Sequence, residues 1–229
     1  MKIITAKNVK KSYRIGSITT EVLKGISLSV KQGEFLGIMG KSGAGKSTLL
    51  YQLSLLDIPS SGEVVIDGTT TKTLKEVERT AFRLNTLGYV FQDYALVPDL
   101  TAEENVLLPI YMKNNSHTEA KIIARKAIDE VGLKGKYTNL PSQLSGGEQQ
   151  RIAIARAIAG KPKILFADEP TANLDSSSSE TVIDLLTCLN REYNLTIVMV
   201  THEREYANNC NRIVYLADGC IEKEETLKS

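Results

Sequence analysis

The octapeptide Gly40-Lys41-Ser42-Gly43-Ala44-Gly45-Lys46-Ser47 directly follows the apolar run Phe35-Leu36-Gly37-Ile38-Met39. A short apolar run that ends in glycine reads as a buried parallel strand. The eight residues after it satisfy G-x-x-x-x-G-K-[ST] in full. Glycines at these places let backbone N–H groups turn inward on a phosphate, and a helix that starts there adds the positive end of its dipole. Lys46 is expected to reach the β- and γ-phosphates of a nucleotide, and the Ser47 hydroxyl to ligate Mg²⁺. A dinucleotide-binding fingerprint is excluded, because Thr48 stands where a third glycine would have to follow Gly43 and Gly45.

Working outward, Ile164-Leu165-Phe166-Ala167-Asp168 is a second apolar strand, and it delivers a carboxylate at its C-terminal end. Ligands of open α/β sheets sit at that end. Asp168 is placed to orient Mg²⁺, and Glu169, one residue beyond, to polarise an attacking water. A third element, Leu144-Ser145-Gly146-Gly147-Glu148-Gln149-Gln150-Arg151, leads into an apolar helix. A serine and two glycines at a helix N-terminus make another anion-binding element.

The rest of the chain alternates in the same sense. Residues 3–9, 21–30 and 63–67 read as strands in a β-rich first third, and Gly25, Gly33 and Gly68 as turns or bulges. Ser116 with Glu119, and Thr101 with Glu104, form capping boxes. The first precedes a stripe of Ala120, Ile123, Ala124, Ala127, Ile128 and Val131; the second opens a short helix that should end before Pro109. Ser177 and Glu180 introduce a further helix with Val182, Leu185, Leu186 and Leu189 on one face, before a strand at 196–200. Strands alternating with helices indicate a mainly parallel α/β sheet.

Composition sets limits. The 229 residues carry 28 basic and 27 acidic side chains, a net +1, so no global field draws nucleic acid or anionic lipid. Cys188, Cys210 and Cys220 have no metal-ligand spacing and read as buried thiols in a reducing compartment. Met1 opens into a strand-like stretch without the pattern of a signal peptide, and no apolar run approaches the roughly 20 residues that span a bilayer. A soluble protein is expected, with any membrane role supplied by a partner.

The order of these three motifs resembles that of the ABC ATPases, over essentially the whole chain. Gln92 after Tyr89-Val90-Phe91 resembles the Q-loop, Leu174-Asp175 the D-loop, and His202 after Val200-Thr201 the switch histidine; Tyr13 resembles the aromatic that stacks on adenine. The resemblance implies a P-loop NTPase (RecA-like) α/β fold, a parallel-sheet core with an N-terminal antiparallel β subdomain and an α-helical subdomain. It implies a single domain over 1–229, with 1–92 and 160–229 as core and β subdomain and 93–159 as helical subdomain. ATP and Mg²⁺ would be bound by Tyr13, residues Gly40, Lys41, Ser42, Gly43, Ala44, Gly45, Lys46, Ser47 and Thr48, and by Gln92, Asp168 and Asp175. Ser145, Gly146, Gly147 and Glu148 would close the site from a second copy in an ATP-dependent homodimer. Ser47, Gln92 and Asp168 would hold the metal; Glu169, His202, Lys46 and Gln92 would carry hydrolysis.

Finer resemblances lie in Lys11-Ser12-Tyr13, Glu21-Val22-Leu23-Lys24-Gly25, Leu56-Asp57-Ile58-Pro59, Phe91-Gln92-Asp93-Tyr94 and Asn105-Val106-Leu107-Leu108-Pro109. They are similar to the macrolide-export and lipoprotein-release clade, and to bacterial peptide-resistance exporters; the loop and LSGGE-QQR forms also occur in the FtsE division ATPase. The pattern departs at Glu148, where LSGGQ has glutamine, and at Glu203, where aspartate is commoner. Such proteins power a separate transmembrane permease subunit from the cytoplasmic face of the membrane, with no nucleic-acid partner. The segment 93–112, with Tyr94, Leu96 and Pro98 outward, is expected to dock that subunit. Translation and DNA-repair relatives would need a second cassette or a coiled-coil insertion, and neither is present in the sequence.

Overall fold

Uninterrupted apolar runs form the centre of the protein because parallel strands are covered on both faces. The computed structural model describes residues 1–113 and 116–227. In chain order the elements are β1 (Lys2–Ile15), β2 (Ile18–Lys31), β3 (Phe35–Gly40), α1 (Lys46–Leu53), β4 (Ser61–Ile66), β5 (Thr69–Thr70), α2 (Glu76–Thr86) and β6 (Leu87–Val90). There follow α3 (Ala102–Tyr111), α4 (His117–Glu130), α5 (Gly146–Ala159), β7 (Ile164–Asp168), α6 (Ser176–Tyr193), β8 (Thr196–Val200), α7 (Arg204–Ala207), β9 (Arg212–Ala217) and β10 (Cys220–Thr226). The central sheet has the order β10-β9-β3-β8-β7-β6, parallel except for the edge strand β10. The antiparallel sheet β2-β1-β4-β5 packs over one of its faces.

Strand periodicity divides the interior into two cores. Phe35, Met39, Leu165, Ala167, Ile197 and Met199 face the core built with α3, α4, α5 and α6. Their alternates Leu36, Ile38, Ile164, Phe166, Val198 and Val200 face α1 and the antiparallel sheet.

The capping boxes at Thr101 and Ser116 form as expected: each side-chain oxygen accepts from the amide of Glu104 or Glu119. Two local expectations change, and one helix was not expected. Helix α3 runs through Pro109 to Tyr111, although proline has no N–H to donate to the carbonyl four residues before it. Helix α2 occupies a stretch to which no element was assigned from the sequence; it is mostly exposed, with Val77 at 81%. Helix α6 is capped by Asp175, not Ser177: one carboxylate oxygen accepts from Ser178 N at 2.9 Å and Ser177 Oγ at 2.8 Å, the other from Ser178 Oγ at 2.8 Å. Of the cysteines only Cys210 is buried, its thiol pushed up to about 12 by burial, whereas Cys188 and Cys220 are exposed. The reading of all three as buried thiols is therefore corrected: α6 and β10 turn two of them to solvent.

The two sheets are joined through Arg212 at the start of β9. Its guanidinium donates to Glu34 Oε1 at 2.7 Å, Glu224 Oε2 at 2.6 Å and the Ser29 carbonyl on β2 at 2.6 Å. Glu34 also accepts from Lys31 N at 2.6 Å and is nearly buried. Arg212→Met strands the Glu34 carboxylate. A loss of about 2–3 kcal/mol is expected, seen as a fall of roughly 4–12 °C in thermal unfolding. Hydrogen bonds from Ser178 N–H, Ser177 and Ser178 hold the Asp175 carboxyl down from 3.8 to about 2. A depressed carboxyl contributes stability above its ordinary value and loses it as pH falls toward the folded one. In urea unfolding, the stability gap between wild type and Asp175→Asn should stay constant above 3.8 and close toward about 2.

Candidate active site

The loop between β3 and α1 uses its glycines for different reasons. A Cβ on Gly40 would stand 2.3 Å from the Leu216 carbonyl, so backbone packing alone demands glycine there. Gly43 has φ +78° with nothing near its missing side chain, which leaves an open cradle rather than a packed corner. Gly45, in the left-handed region, starts α1. Lys46 is 7% exposed; its Nζ donates to the Gly40 and Lys41 carbonyls at 3.0 and 3.2 Å and lies 3.8 Å from Glu169 Oε1.

The ends of β7 and β8 bring the other charges to this loop. Ser47 Oγ donates to Asp168 Oδ1 at 2.9 Å, and Tyr89 OH to Asp168 Oδ2 at 3.3 Å. Burial raises the Asp168 carboxyl, against the lowering effect of those two hydroxyls, and burial beside Asp168 raises the Tyr89 phenol. A hydroxyl and a carboxylate this close form a hard oxygen donor set of the kind Mg²⁺ takes, so the residues present fit that ion. Glu169 sits at φ +45°, an uncommon conformation for a non-glycine residue, with its N–H donating to the Val200 carbonyl at 3.0 Å. His202 Nδ1 lies 3.3 Å from Glu169 Oε2, its side chain about half exposed. Lys46, Ser47, Asp168, Glu169 and His202 thus form one cluster at the carboxyl ends of β3, β7 and β8.

The other expected residues lie apart from it in the single chain. Tyr13, on β1, donates to Asp57 Oδ2 at 3.0 Å and carries Lys11 Nζ 5.0 Å above its ring. Gln92 is exposed, and its carbonyl accepts from Asn173 Nδ2 at 3.1 Å. Ser145 caps α5, its Oγ accepting from Glu148 N at 3.2 Å, and Lys136 pairs with Glu148 at 3.1 Å. A Cβ on Gly146 would stand 3.0 Å from Tyr94 OH and one on Gly147 2.7 Å from Ser178 Oγ. Packing therefore constrains both glycines, a reason beyond the anion binding that the sequence suggests. None of these contacts reaches the loop at 40–47.

Arg156, which sequence reasoning passed over, anchors the turn that follows Gln92. Tyr94 and Ala95 are consecutive left-handed residues, at φ 62° and 50°, and Arg156 donates to both carbonyls at 2.9 and 2.5 Å. Tyr94 OH donates to the Asn173 carbonyl at 3.3 Å. Tyr94 and Leu96 are thereby partly buried rather than outward, which corrects that expectation; Pro98 is exposed. The apolar surface beside this segment is instead a groove of about 480 Å³ lined by Leu56, Tyr89, Phe91, Leu108, Pro109 and Met112, among others. Tyr89 was legible in principle, since strand alternation sets it on the face opposite Val90, toward α1.

Comparison with known proteins follows from this geometry. A family model described as ABC transporter matches residues 23–172. The lipoprotein-releasing system ATP-binding protein LolD of Aquifex aeolicus is 48% identical, covering 98% of each chain. The macrolide export ATP-binding/permease protein MacB of Bdellovibrio bacteriovorus is 42% identical over 99% of this chain and 34% of that protein. The solved dimeric structure of the ATP-binding cassette MJ0796 in a post-hydrolysis state bound to ADP and Pi superposes with a TM-score of 0.92, at 44% identity and 99% coverage of each chain. In sequence, in fold and in the order of its phosphate-loop and carboxylate elements, this chain belongs to the ATP-binding proteins of the ABC transporter family.

Proposed function

We propose that this ATP-binding subunit hydrolyses ATP as a homodimer and drives a separate membrane subunit of the macrolide-export or lipoprotein-release type. The observation that carries the reading is the clustering of Lys46, Ser47, Asp168, Glu169 and His202 at one end of the sheet. The Lys46 ammonium, now satisfied by its own loop's carbonyls, turns to the β- and γ-phosphates when they enter the cradle at Gly43. Ser47 and Asp168, joined by Gln92, would hold Mg²⁺, which neutralises phosphate charge when bound. Glu169 orients the attacking water and accepts its proton, and His202 contacts the γ-phosphate. Tyr13 stacks on the base, with Thr48 and Asp175 completing the binding shell.

Ser145, Gly146, Gly147 and Glu148 meet Tyr94, Ser178 and Lys136 rather than their own phosphate loop, which suits closure over the nucleotide of a second copy. The dimeric relative bound to ADP and Pi supports that arrangement. Among the described residues no helix is long and apolar enough to cross a membrane. Attachment to the cytoplasmic face therefore falls to the partner, whose apolar segment would seat in the groove by Leu108 and Met112. The division we propose takes 1–92 and 160–229 as core and β subdomain and 93–159 as helical subdomain; one interior core spans both, with Phe35, Leu165 and Ile197 packed with Val106 and Ile128.

Phosphate release from Glu169→Gln should fall at least about 100-fold while nucleotide affinity stays near wild type, since positioning and electrostatics dominate this chemistry. Normal turnover in that variant would remove Glu169 from its role. Leu108→Glu, which puts a charge in the groove, should abolish stimulation of the ATPase by the co-reconstituted membrane subunit and leave basal turnover and nucleotide binding intact. Loss of nucleotide binding in Leu108→Glu would count against a docking role.

A further inference from the structure

Gln150 lies in the second turn of α5, fully buried, in a run of residues that otherwise reads as polar and solvated. Its Nε2 donates to the Pro170 carbonyl at 2.8 Å, inside the protein. Its Oε1 is buried without a hydrogen-bond partner. An orphan acceptor costs stability; a methionine of similar length would fill the same space and remove Oε1, but would leave the Pro170 carbonyl without its donor. Packing therefore does not account for an amide at this position; the bond to Pro170 does.

Pro170 directly follows Glu169, whose left-handed backbone has to be held against its own preference. The turn is pinned on one side by Glu169 N–H on the Val200 carbonyl and closed by Ala172 N–H on the Glu169 carbonyl at 3.1 Å. Gln150 supplies the fixing bond from the opposite side, and it is carried by the helix that Ser145 caps. Five residues of helix separate Ser145 from Gln150, about 7.5 Å along the axis. A helix moves as a rigid element over that length, so a shift at its N-terminus arrives at the Pro170 carbonyl.

We infer that Gln150 is a positioning residue, which fixes the strained turn presenting Glu169 and ties it to the helix that begins at Ser145. The inference rests on the proposed role of Glu169 and adds a route by which contact at the Ser145 end in one subunit reaches that subunit's own general base.

The test uses the full chain as wild type, Gln150→Met, Gln150→Glu and Glu169→Gln. Phosphate release gives kcat and KM, a fluorescent ATP analogue gives affinity, and thermal unfolding reports the fold. Gln150→Met exchanges one orphan acceptor, Oε1, for another, the Pro170 carbonyl, so it should unfold near the wild-type temperature, keep KM and affinity within about 2-fold, and lose about 10- to 100-fold in kcat. Gln150→Glu offers a donor to Pro170 only while its carboxyl is protonated. Its kcat should climb toward wild type as pH falls, in a profile that Gln150→Met lacks. Wild-type kcat in Gln150→Met, or parallel changes in kcat and affinity, would overturn the inference. If Gln150→Met is unstable, Gln150→Glu decides: a pH profile matching wild type in shape overturns it. Full activity in Glu169→Gln would bring down the functional reading as well, whereas loss there with normal Gln150→Met turnover sinks this inference alone.

Discussion

A parallel strand covered on both faces can carry no charge along its length, and the rest of this protein follows from that constraint. In β3, β7 and β8 every residue before the last is uncharged and buried. Charged and polar groups can enter only where the strands stop. Because the three are neighbours in one sheet and run the same way, they stop at one place. The loop after β3, Asp168 with Glu169 after β7, and His202 after β8 converge there without long connections.

Convergence brings an electrostatic problem, which the site solves locally. Lys46 is buried and charged, so its ammonium takes two loop carbonyls and stands near Glu169. Asp168 is buried too, and two hydroxyls, from Ser47 and Tyr89, partly offset the cost of its ionisation. Lys46 and Glu169, 3.8 Å apart, form a loose ion pair that an entering phosphate would compete for.

What the sequence made legible was the part governed by local rules. A full phosphate-loop motif behind an apolar run, and a carboxylate pair closing a second run, needed no tertiary knowledge, because one apolar strand per motif already implies the place where both end. Capping boxes at Thr101 and Ser116 were equally local. Illegible were features decided by what packs from elsewhere. Four serines after Asp175 offered several caps of similar quality, and the choice among them depends on how α6 approaches its turn. Tyr94 looked outward because nothing nearby in sequence announces Asn173 or Arg156. Gln150 hid in a polar run; only the helical phase of Gly147, Gln150, Ile154 and Ile158, three and four residues apart, marks it as inward. Helix α2, by contrast, was readable and was missed: Val77, Ala81 and Leu84 stand at helical spacing.

The strict alternation of the central strands also limits how genes for such chains can change length. Neighbouring residues of β3 belong to different cores, Phe35 to one and Leu36 to the other, and β7 and β8 follow the same rule. One codon inserted in any of them would exchange the two sets of side chains beyond it and turn the terminal carboxylate or loop to the wrong face. Insertions and deletions must therefore collect in the turns, such as those at Gly68 and Gly135, where the backbone is already left-handed and nothing packs against the missing side chain. Descent with variable loops around strands of invariant length is the evolutionary signature that this interior enforces.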